Sequence, residues 1–92
     1  MLFVISCSDK PNHLAVRMAT REAHLEYAAG FAEQILMAGP YLDDKGDMVG
    51  SMLIMDFPDM AAAESFSASD PYVRAGLFER VSIRRWKKLI PA

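Results

Sequence analysis

The pair Asp70-Pro71 constrains the fold of this 92-residue chain more than any other feature of its sequence. The proline ring disfavours helical geometry at the residue before it, so a helix that arrives from the N-terminal side must end at or before Asp70. A short new helix can begin at Pro71, because the first helical position needs no N–H donor. The pair therefore predicts a corner that carries a carboxylate. Asp70 could simply cap the new helix, or it could do chemistry if another segment brings a proton carrier to the same corner.

Apolar runs and chain breakers predict the remaining elements. The prediction comprises a strand over residues 1–8, a helix capped by Asp9 or Asn12 that ends near Ala29 or Gly30, strands over 35–42 and 49–57, a helix from Pro58-Asp59 to about Ser69, a stop at Gly76 and a strand over 78–90. Gly39-Pro40 predicts an edge position or a bulge for the second strand. The order β-α-β-β-α-β is the split βαβ, or ferredoxin-like, arrangement of the α+β class. We expect one domain over residues 1–92, with a four-stranded antiparallel sheet.

The predicted strands are apolar on both faces, which points to a partner. Residues 2–5 read Leu-Phe-Val-Ile and residues 52–55 read Met-Leu-Ile-Met, whereas a sheet with one wet face should alternate. Two helices cover only one face of such a sheet, and 52% of the chain is apolar. We therefore expect a homodimer with its sheets face to face, or a higher oligomer built from it. Unevenly apolar strands in a monomer are the alternative.

Charge and cysteine content narrow the classes of function. The net charge of −2 gives no reason to expect nucleic acid or an anionic membrane as a partner. The charges of the basic run Arg84–Lys88 alternate between the two faces of a late strand. This pattern is more typical of an edge strand whose charges prevent aggregation than of a surface that binds nucleic acid. Cys7 is the only cysteine, so no internal disulfide or thiolate metal cluster can form. The apolar start is too short for a membrane span and lacks a basic leader, so we expect a cytoplasmic protein.

His24 and Asp70 are the candidate catalytic residues. The apolar residues of the first helix keep one face and predict its buried stripe: Leu14, Met18, Leu25, Ala28 and Ala32. His24 falls on the flank of that stripe, about 100° from Leu25. A core or surface histidine is equally compatible with this position. Paired with Asp70, however, the imidazole would have a fixed tautomer and could transfer protons near neutral pH.

Several segments, taken in order, carry a family resemblance. They are Arg21-Glu-Ala-His24-Leu, Ala38-Gly39-Pro40, Gly50-Ser51, Ser69-Asp70-Pro71-Tyr72-Val73 and Ala75-Gly76. This chain resembles the YciI-like family over essentially its whole length. The resemblance implies a dimeric α+β barrel, related to muconolactone isomerase, with a His–Asp pair at the active site that corresponds to His24 and Asp70. The activity it implies is dehydrochlorination of a chlorinated hydroxyhydroquinone, although most members have no known substrate.

Other residues could complete a site around that pair. Arg21 could hold an anionic oxygen, or it could be a surface ion-pair residue of the helix. Gly50-Ser51 could let a ligand approach the third strand, or it could be a plain turn exit. Tyr72 could offer its hydroxyl to a substrate or to Asp70, or it could only pack. Cys7 and the solvated His13 are set aside, and no metal is expected because a zinc ion on His24 and Asp70 would lack a third ligand.

The sequence therefore supports two hypotheses about function. The first is a cofactor-independent enzyme, a lyase or isomerase, that uses His24 and Asp70 for elimination or isomerisation of a small aromatic or enolic molecule. Arg21 or Tyr72 would stabilise the developing oxyanion. The second is a non-catalytic ligand-binding or accessory module that uses the pair as a hydrogen-bonding site.

Overall fold

A computed structural model describes residues 1–92 and confirms the predicted order of elements. These are β1 (Leu2–Asp9), α1 (Leu14–Ala29), β2 (Ile35–Leu42), β3 (Met48–Asp56), α2 (Met60–Ala68), α3 (Pro71–Arg74) and β4 (Phe78–Trp86). The strands form one antiparallel sheet in the order β2-β3-β1-β4. This is the α+β, ferredoxin-like fold. Gly39 and Pro40 lie in the edge strand β2, as predicted.

One face of the sheet carries the hydrophobic core. Along β1, buried residues alternate with half-buried ones because successive side chains point to opposite faces. The buried set of β1 and β3 packs with α2 in one cluster, whose members are Phe3, Ile5, Cys7, Leu53, Met55, Phe57, Ala63 and Phe66. Aromatic rings extend this cluster to α1 and the turn after it, since Tyr27 of α1 stacks on Phe66 with ring centroids 5.2 Å apart and Phe31 meets Phe66 edge-on at 4.8 Å. Such a pair adds about 0.5–1.5 kcal/mol beyond its buried area.

Helix α1 is oriented differently from the sequence prediction. The face expected to be buried is exposed, with 38% of Leu14, 53% of Met18 and 48% of Leu25 accessible to solvent. The residue of α1 that the structure buries is Arg17. At 3.6 residues per turn, the helix is rotated by roughly 100° from the predicted orientation. The apolar spacing identified the more continuous stripe, but the face of α1 that includes Tyr27 packs against the aromatic core.

Two predicted boundaries are also wrong. Neither Asp9 nor Asn12 caps α1, because His13 occupies the N-cap position without a side-chain bond and Asp9 instead binds a side chain of the helix. Strand β4 ends at Trp86 rather than at residue 90. Trp86 pairs with Leu2, the first residue of β1, so the residues that follow have no neighbouring strand.

The corner at Asp70-Pro71 is confirmed. Helix α2 ends before it, α3 starts with Pro71, and Asp70 has extended backbone angles of φ −61° and ψ 129°. Gly76 ends the segment at φ +71°, a left-handed conformation that glycine adopts without strain. Residues 69–77 thus form a compact turn of fixed geometry beneath α1.

Candidate active site

The Asp70 carboxylate serves two partners through one oxygen. Its Oδ1 accepts the backbone N–H of Tyr72 at 2.9 Å, which caps α3, and it lies 2.9 Å from His24 Nδ1. Asp70 is 4% exposed, so both contacts are shielded from water. The same oxygen therefore caps α3 and contacts the imidazole of His24.

The imidazole of His24 is held at its edge and across its face. A carboxylate can only accept, so Nδ1 donates to Asp70 and the neutral ring carries its lone pair on Nε2. The ring also stacks on Tyr72, with centroids 4.1 Å apart and planes 17° from parallel. Nε2 has no partner within the protein and is the atom available to a ligand.

Tyr72 lies at the centre of the site. It is 2% exposed, and burial raises the pKa of its phenol, an effect that the charge of Asp70 reinforces and those of Arg17 and Arg21 partly oppose. The hydroxyl therefore stays protonated at neutral pH and can donate a hydrogen bond.

Sequence reasoning missed Arg17 and Asp9. Arg17 donates to Asp9 through Nε at 2.7 Å and through Nη2 at 2.8 Å, and Nη2 also donates to Ser51 Oγ at 3.0 Å. Its Cζ lies 4.6 Å from the centre of the Tyr72 ring. A signal existed in the sequence, because Arg17, Arg21 and His24 repeat at helical spacing on one side of α1.

These side chains surround a cavity of about 140 Å³ between α1 and the sheet. Its lining comprises Arg17, Arg21, His24, Leu25, Ala28, Ala38, Gly39, Pro40, Met48, Ser51, Leu53 and Tyr72. Buried residues form its inner end, whereas Arg21, Leu25 and Pro40 are exposed and form its mouth. An apolar cavity of about this size holds a benzene ring. The space is thus suited to one small ring with polar groups at its edge.

Most of the predicted site residues meet at this cavity. Arg21, His24, Ser51 and Tyr72 line it, and Asp70 lies behind His24. Gly50 does not line it. A Cβ at Gly50 would overlap the carbonyl oxygen of Cys7 and lie 2.9 Å from the Tyr41 ring, so this glycine allows β1, β2 and β3 to pack closely.

Cys7 and His13 do not line the cavity. Burial raises the pKa of the Cys7 thiol to about 12, with a smaller contribution from Asp70. His13 lies outside the cavity, where its Nδ1 is 2.8 Å from the Pro11 carbonyl oxygen. No three His, Cys, Asp or Glu side chains come together as metal ligands would. None of the helices combines the length and apolar character needed to span a membrane.

Comparison with known proteins gives close relatives. A family model described as "YCII-related domain" matches residues 1–87. The protein YciI of Escherichia coli O6:H1 is 36% identical over 97 aligned positions, which cover 97% of this chain and 99% of that protein. An uncharacterized protein of Haemophilus influenzae shows the same identity and coverage.

Solved structures extend this comparison. The 5-chloro-2-hydroxyhydroquinone dehydrochlorinase of Burkholderia phenoliruptrix, in complex with 2,5-dihydroxybenzoquinone, is 39% identical with a TM-score of 0.89, over 95% of this chain and 94% of that one. An antibiotic biosynthesis monooxygenase is 19% identical with a TM-score of 0.57, over 97% of this chain and 99% of that one. The second likeness shows a shared fold alone.

Proposed function

This chain belongs to the family of YCII-related domains, and from that premise we propose that it is a cofactor-independent enzyme that moves protons with His24 and Asp70. Its substrate would be a small aromatic or enolic molecule, and its reaction an elimination or an isomerisation. The observation that carries the proposal is the 2.9 Å contact between His24 Nδ1 and Asp70 Oδ1 beside a cavity sized for one ring.

In this mechanism Nε2 of His24 acts as the general base. It takes a proton from a ring hydroxyl, the oxygen becomes a carbonyl, and the electron pair moves into the ring. The pair accepts a proton at another ring carbon, which isomerises the molecule. Where that carbon bears chlorine, the protonation makes it tetrahedral, and removal of a proton from a second ring hydroxyl then expels chloride and leaves a quinone. Asp70 stabilises the imidazolium that forms and keeps Nε2 facing the ligand. Proton transfer by a positioned side chain contributes about 10²–10⁴-fold to the rate.

The dehydrochlorinase relative supports this choice of chemistry. That protein is named for a chlorinated hydroxyhydroquinone and was solved with a dihydroxybenzoquinone, so both molecules are single six-membered rings with oxygen substituents. Its likeness covers nearly the full length of both chains. A ring of this kind also matches the volume of the cavity, which is about that needed to hold one benzene ring.

Three further residues have proposed roles in binding the substrate. Tyr72 and Ser51 would donate hydrogen bonds from their hydroxyls at the inner end of the cavity. Arg21 lies at the mouth and forms no salt bridge, so it would attract an anionic ring. Gly50 would act on the site only through the packing of its strand.

Turnover of 5-chloro-2-hydroxyhydroquinone tests the proposal, with chloride release as the readout. We expect the native chain to release chloride and His24→Gln to lower kcat by about 10²–10⁴-fold. His13→Gln is the matched control, because it removes the other histidine and should leave kcat unchanged. A native chain that binds the compound without turnover, and still binds it after His24→Gln, would favour the ligand-binding module instead.

We also propose that a second copy of the chain covers the outer face of the sheet, which is the face opposite the helices. Met37 of β2 pairs with Ile54, and Trp86 of β4 pairs with Leu2, so all four side chains lie on this face. Met37 is 60% exposed and Trp86 is 40% exposed. Large exposed apolar side chains at both edges of one face are typical of a surface that meets a partner.

A further inference from the structure

The C-terminal end of α2 leaves one buried carbonyl group without a backbone partner. In a helix that continued, the N–H of Asp70 would donate to the carbonyl oxygen of Phe66, four residues earlier. Asp70 N instead donates to Ser67 O at 3.1 Å, because its backbone is extended at the corner before Pro71. Phe66 is 3% exposed, so its carbonyl oxygen needs a donor from another part of the protein.

Tyr27 of α1 supplies the missing donor. Its hydroxyl donates to Phe66 O at 2.8 Å, and its ring stacks on the Phe66 ring with the planes 27° from parallel. This is the single hydrogen bond between α1 and α2. Burial raises the pKa of the Tyr27 phenol, and the charge of Asp70 raises it further, against smaller opposing effects of Ser69 and Arg74. The hydroxyl is therefore protonated, and able to donate, at neutral pH.

This hydrogen bond runs beside the contact between His24 and Asp70. Tyr27 follows His24 by three residues on α1, which is about one helical turn. On the other side, Phe66 precedes Asp70 by four residues. Two contacts of 2.8 and 2.9 Å therefore join α1 to the end of α2 and the corner that follows it. His24 and Asp70 are 46 positions apart in the chain, so their distance depends on how α1 is held against this segment.

We infer that Tyr27 is a positioning residue that keeps His24 within hydrogen-bonding distance of Asp70 by fixing α1 against the C-terminal end of α2. Tyr27 does not line the cavity, so it acts on a ligand only through His24. Loss of its hydroxyl should therefore impair proton transfer and leave ligand binding unchanged. The effect on turnover rests on the proposed function, whereas the effect on the contact between His24 and Asp70 can be measured without a substrate.

The variant Tyr27→Phe tests the inference, because it removes the hydroxyl and keeps the ring against Phe66. The readout is the solvent exchange of the proton on Nδ1 of His24, followed by proton–nitrogen NMR. We expect slow exchange in the native chain, since this proton is donated to Asp70, which is 4% exposed. In Tyr27→Phe it should exchange about 2- to 10-fold faster, the factor that corresponds to one lost hydrogen bond. The value of kcat should fall by a similar factor with KM unchanged, because the base loses its alignment while the cavity stays intact.

Tyr41→Phe is the matched control. The Tyr41 hydroxyl lies 2.9 Å from Ser6 Oγ, so this variant also removes one tyrosine hydrogen bond, but in the sheet rather than beside His24. It should leave the exchange of the Nδ1 proton and kcat unchanged. Thermal denaturation compares the stability lost in the two variants, so that an effect of general destabilisation would appear in both.

The outcomes separate this inference from the proposed activity. Faster exchange in Tyr27→Phe alone supports the positioning role. Unchanged exchange in Tyr27→Phe would overturn it, as would equal acceleration in Tyr41→Phe, which would trace the effect to general stability. A native chain without turnover would contradict the proposed function, yet the exchange comparison would still decide the role of Tyr27. Either conclusion can therefore fail alone.

Discussion

His24 and Tyr72 stack with their ring centroids 4.1 Å apart, and Tyr72 follows by two residues the aspartate that binds the same imidazole. One short turn, residues 70–72, therefore holds the histidine at its edge through a carboxylate and across its face through a phenol. The backbone geometry of this turn fixes the distance between the Asp70 carboxylate and the Tyr72 ring. The turn at residues 70–72 thus positions the carboxylate and the phenol, and helix α1 positions the imidazole between them.

The stack predicts a graded response at Tyr72. Tyr72→Phe keeps the ring against His24 and removes only the hydroxyl, whereas Tyr72→Leu also removes the stack, which is worth about 0.5–1.5 kcal/mol. We expect Tyr72→Leu to lower kcat several-fold more than Tyr72→Phe, because the imidazole gains freedom. Kinetics and the line width of the His24 ring signals in NMR measure this. Equal loss in both variants would assign the whole effect to the hydroxyl.

Asp70→Asn should separate capping from catalysis. Asparagine caps helices about as well as aspartate, so we expect the free energy of unfolding to change by less than about 1 kcal/mol. The amide cannot stabilise an imidazolium as a carboxylate does, so kcat should fall by about 10²-fold or more. Asp59, which caps α2 by accepting from Ala62 N at 2.8 Å, gives the matched control. Asp59→Asn should leave kcat unchanged, and similar losses in both would argue against the dyad.

Gly50→Ala should destabilise the fold. The new methyl group would overlap the Cys7 carbonyl oxygen and press on the Tyr41 ring, and overpacking of this kind costs about 1–3 kcal/mol or more. Gly39→Ala in the neighbouring strand is the control, because no atom lies within 4 Å of its Cβ position. Urea denaturation compares the two. Equal stability would mean that the strands separate without cost.

Alkaline pH should reveal the buried thiol. The pKa of Cys7 is about 12 in the folded state against 9.0 as its ordinary value, so below pH 9 the thiol is protonated in both states. Between these values only the unfolded chain releases the proton. The free energy of unfolding should then fall by about 1.4 kcal/mol per pH unit from this group. Cys7→Ala should show a shallower decline from pH 9 to 11, and identical slopes would contradict the assignment.

The oligomeric state tests the proposed cover of the outer sheet face. We expect a dimer by light scattering, and a monomer after Met37→Glu, because that face would then bury an unpaired charge. Met18→Glu is the control, since Met18 is 53% exposed on α1, away from this face. It should remain a dimer. A native chain that stays monomeric at all concentrations, or a Met18→Glu monomer with a Met37→Glu dimer, would exclude this surface.

Local rules predicted most of the fold and part of the site. The Asp70-Pro71 corner and the stop at Gly76 follow from backbone restrictions of single residues, so the sequence alone identified them. The rotation of α1 does not follow from periodicity, because its inward face carries Arg17 and His24, which are paired with acids from distant segments rather than marked by apolar spacing. Arg17 and Asp9 escaped notice for the same reason, since an arginine is predicted to be solvated until its partner is known.

Strand β2 contributes one face to the cavity and the other face to the outer surface of the sheet. Ala38 and Pro40 form a wall of the cavity, while Met37 and Tyr41 lie on the opposite side, where we expect another chain to press. Because successive side chains of a strand share one backbone, a partner that displaces β2 from the outer face also displaces the residues of β2 that line the cavity. We therefore expect dimerisation and ligand binding to be thermodynamically linked. Dilution of the protein should lower its affinity for the ligand, and bound ligand should stabilise the dimer.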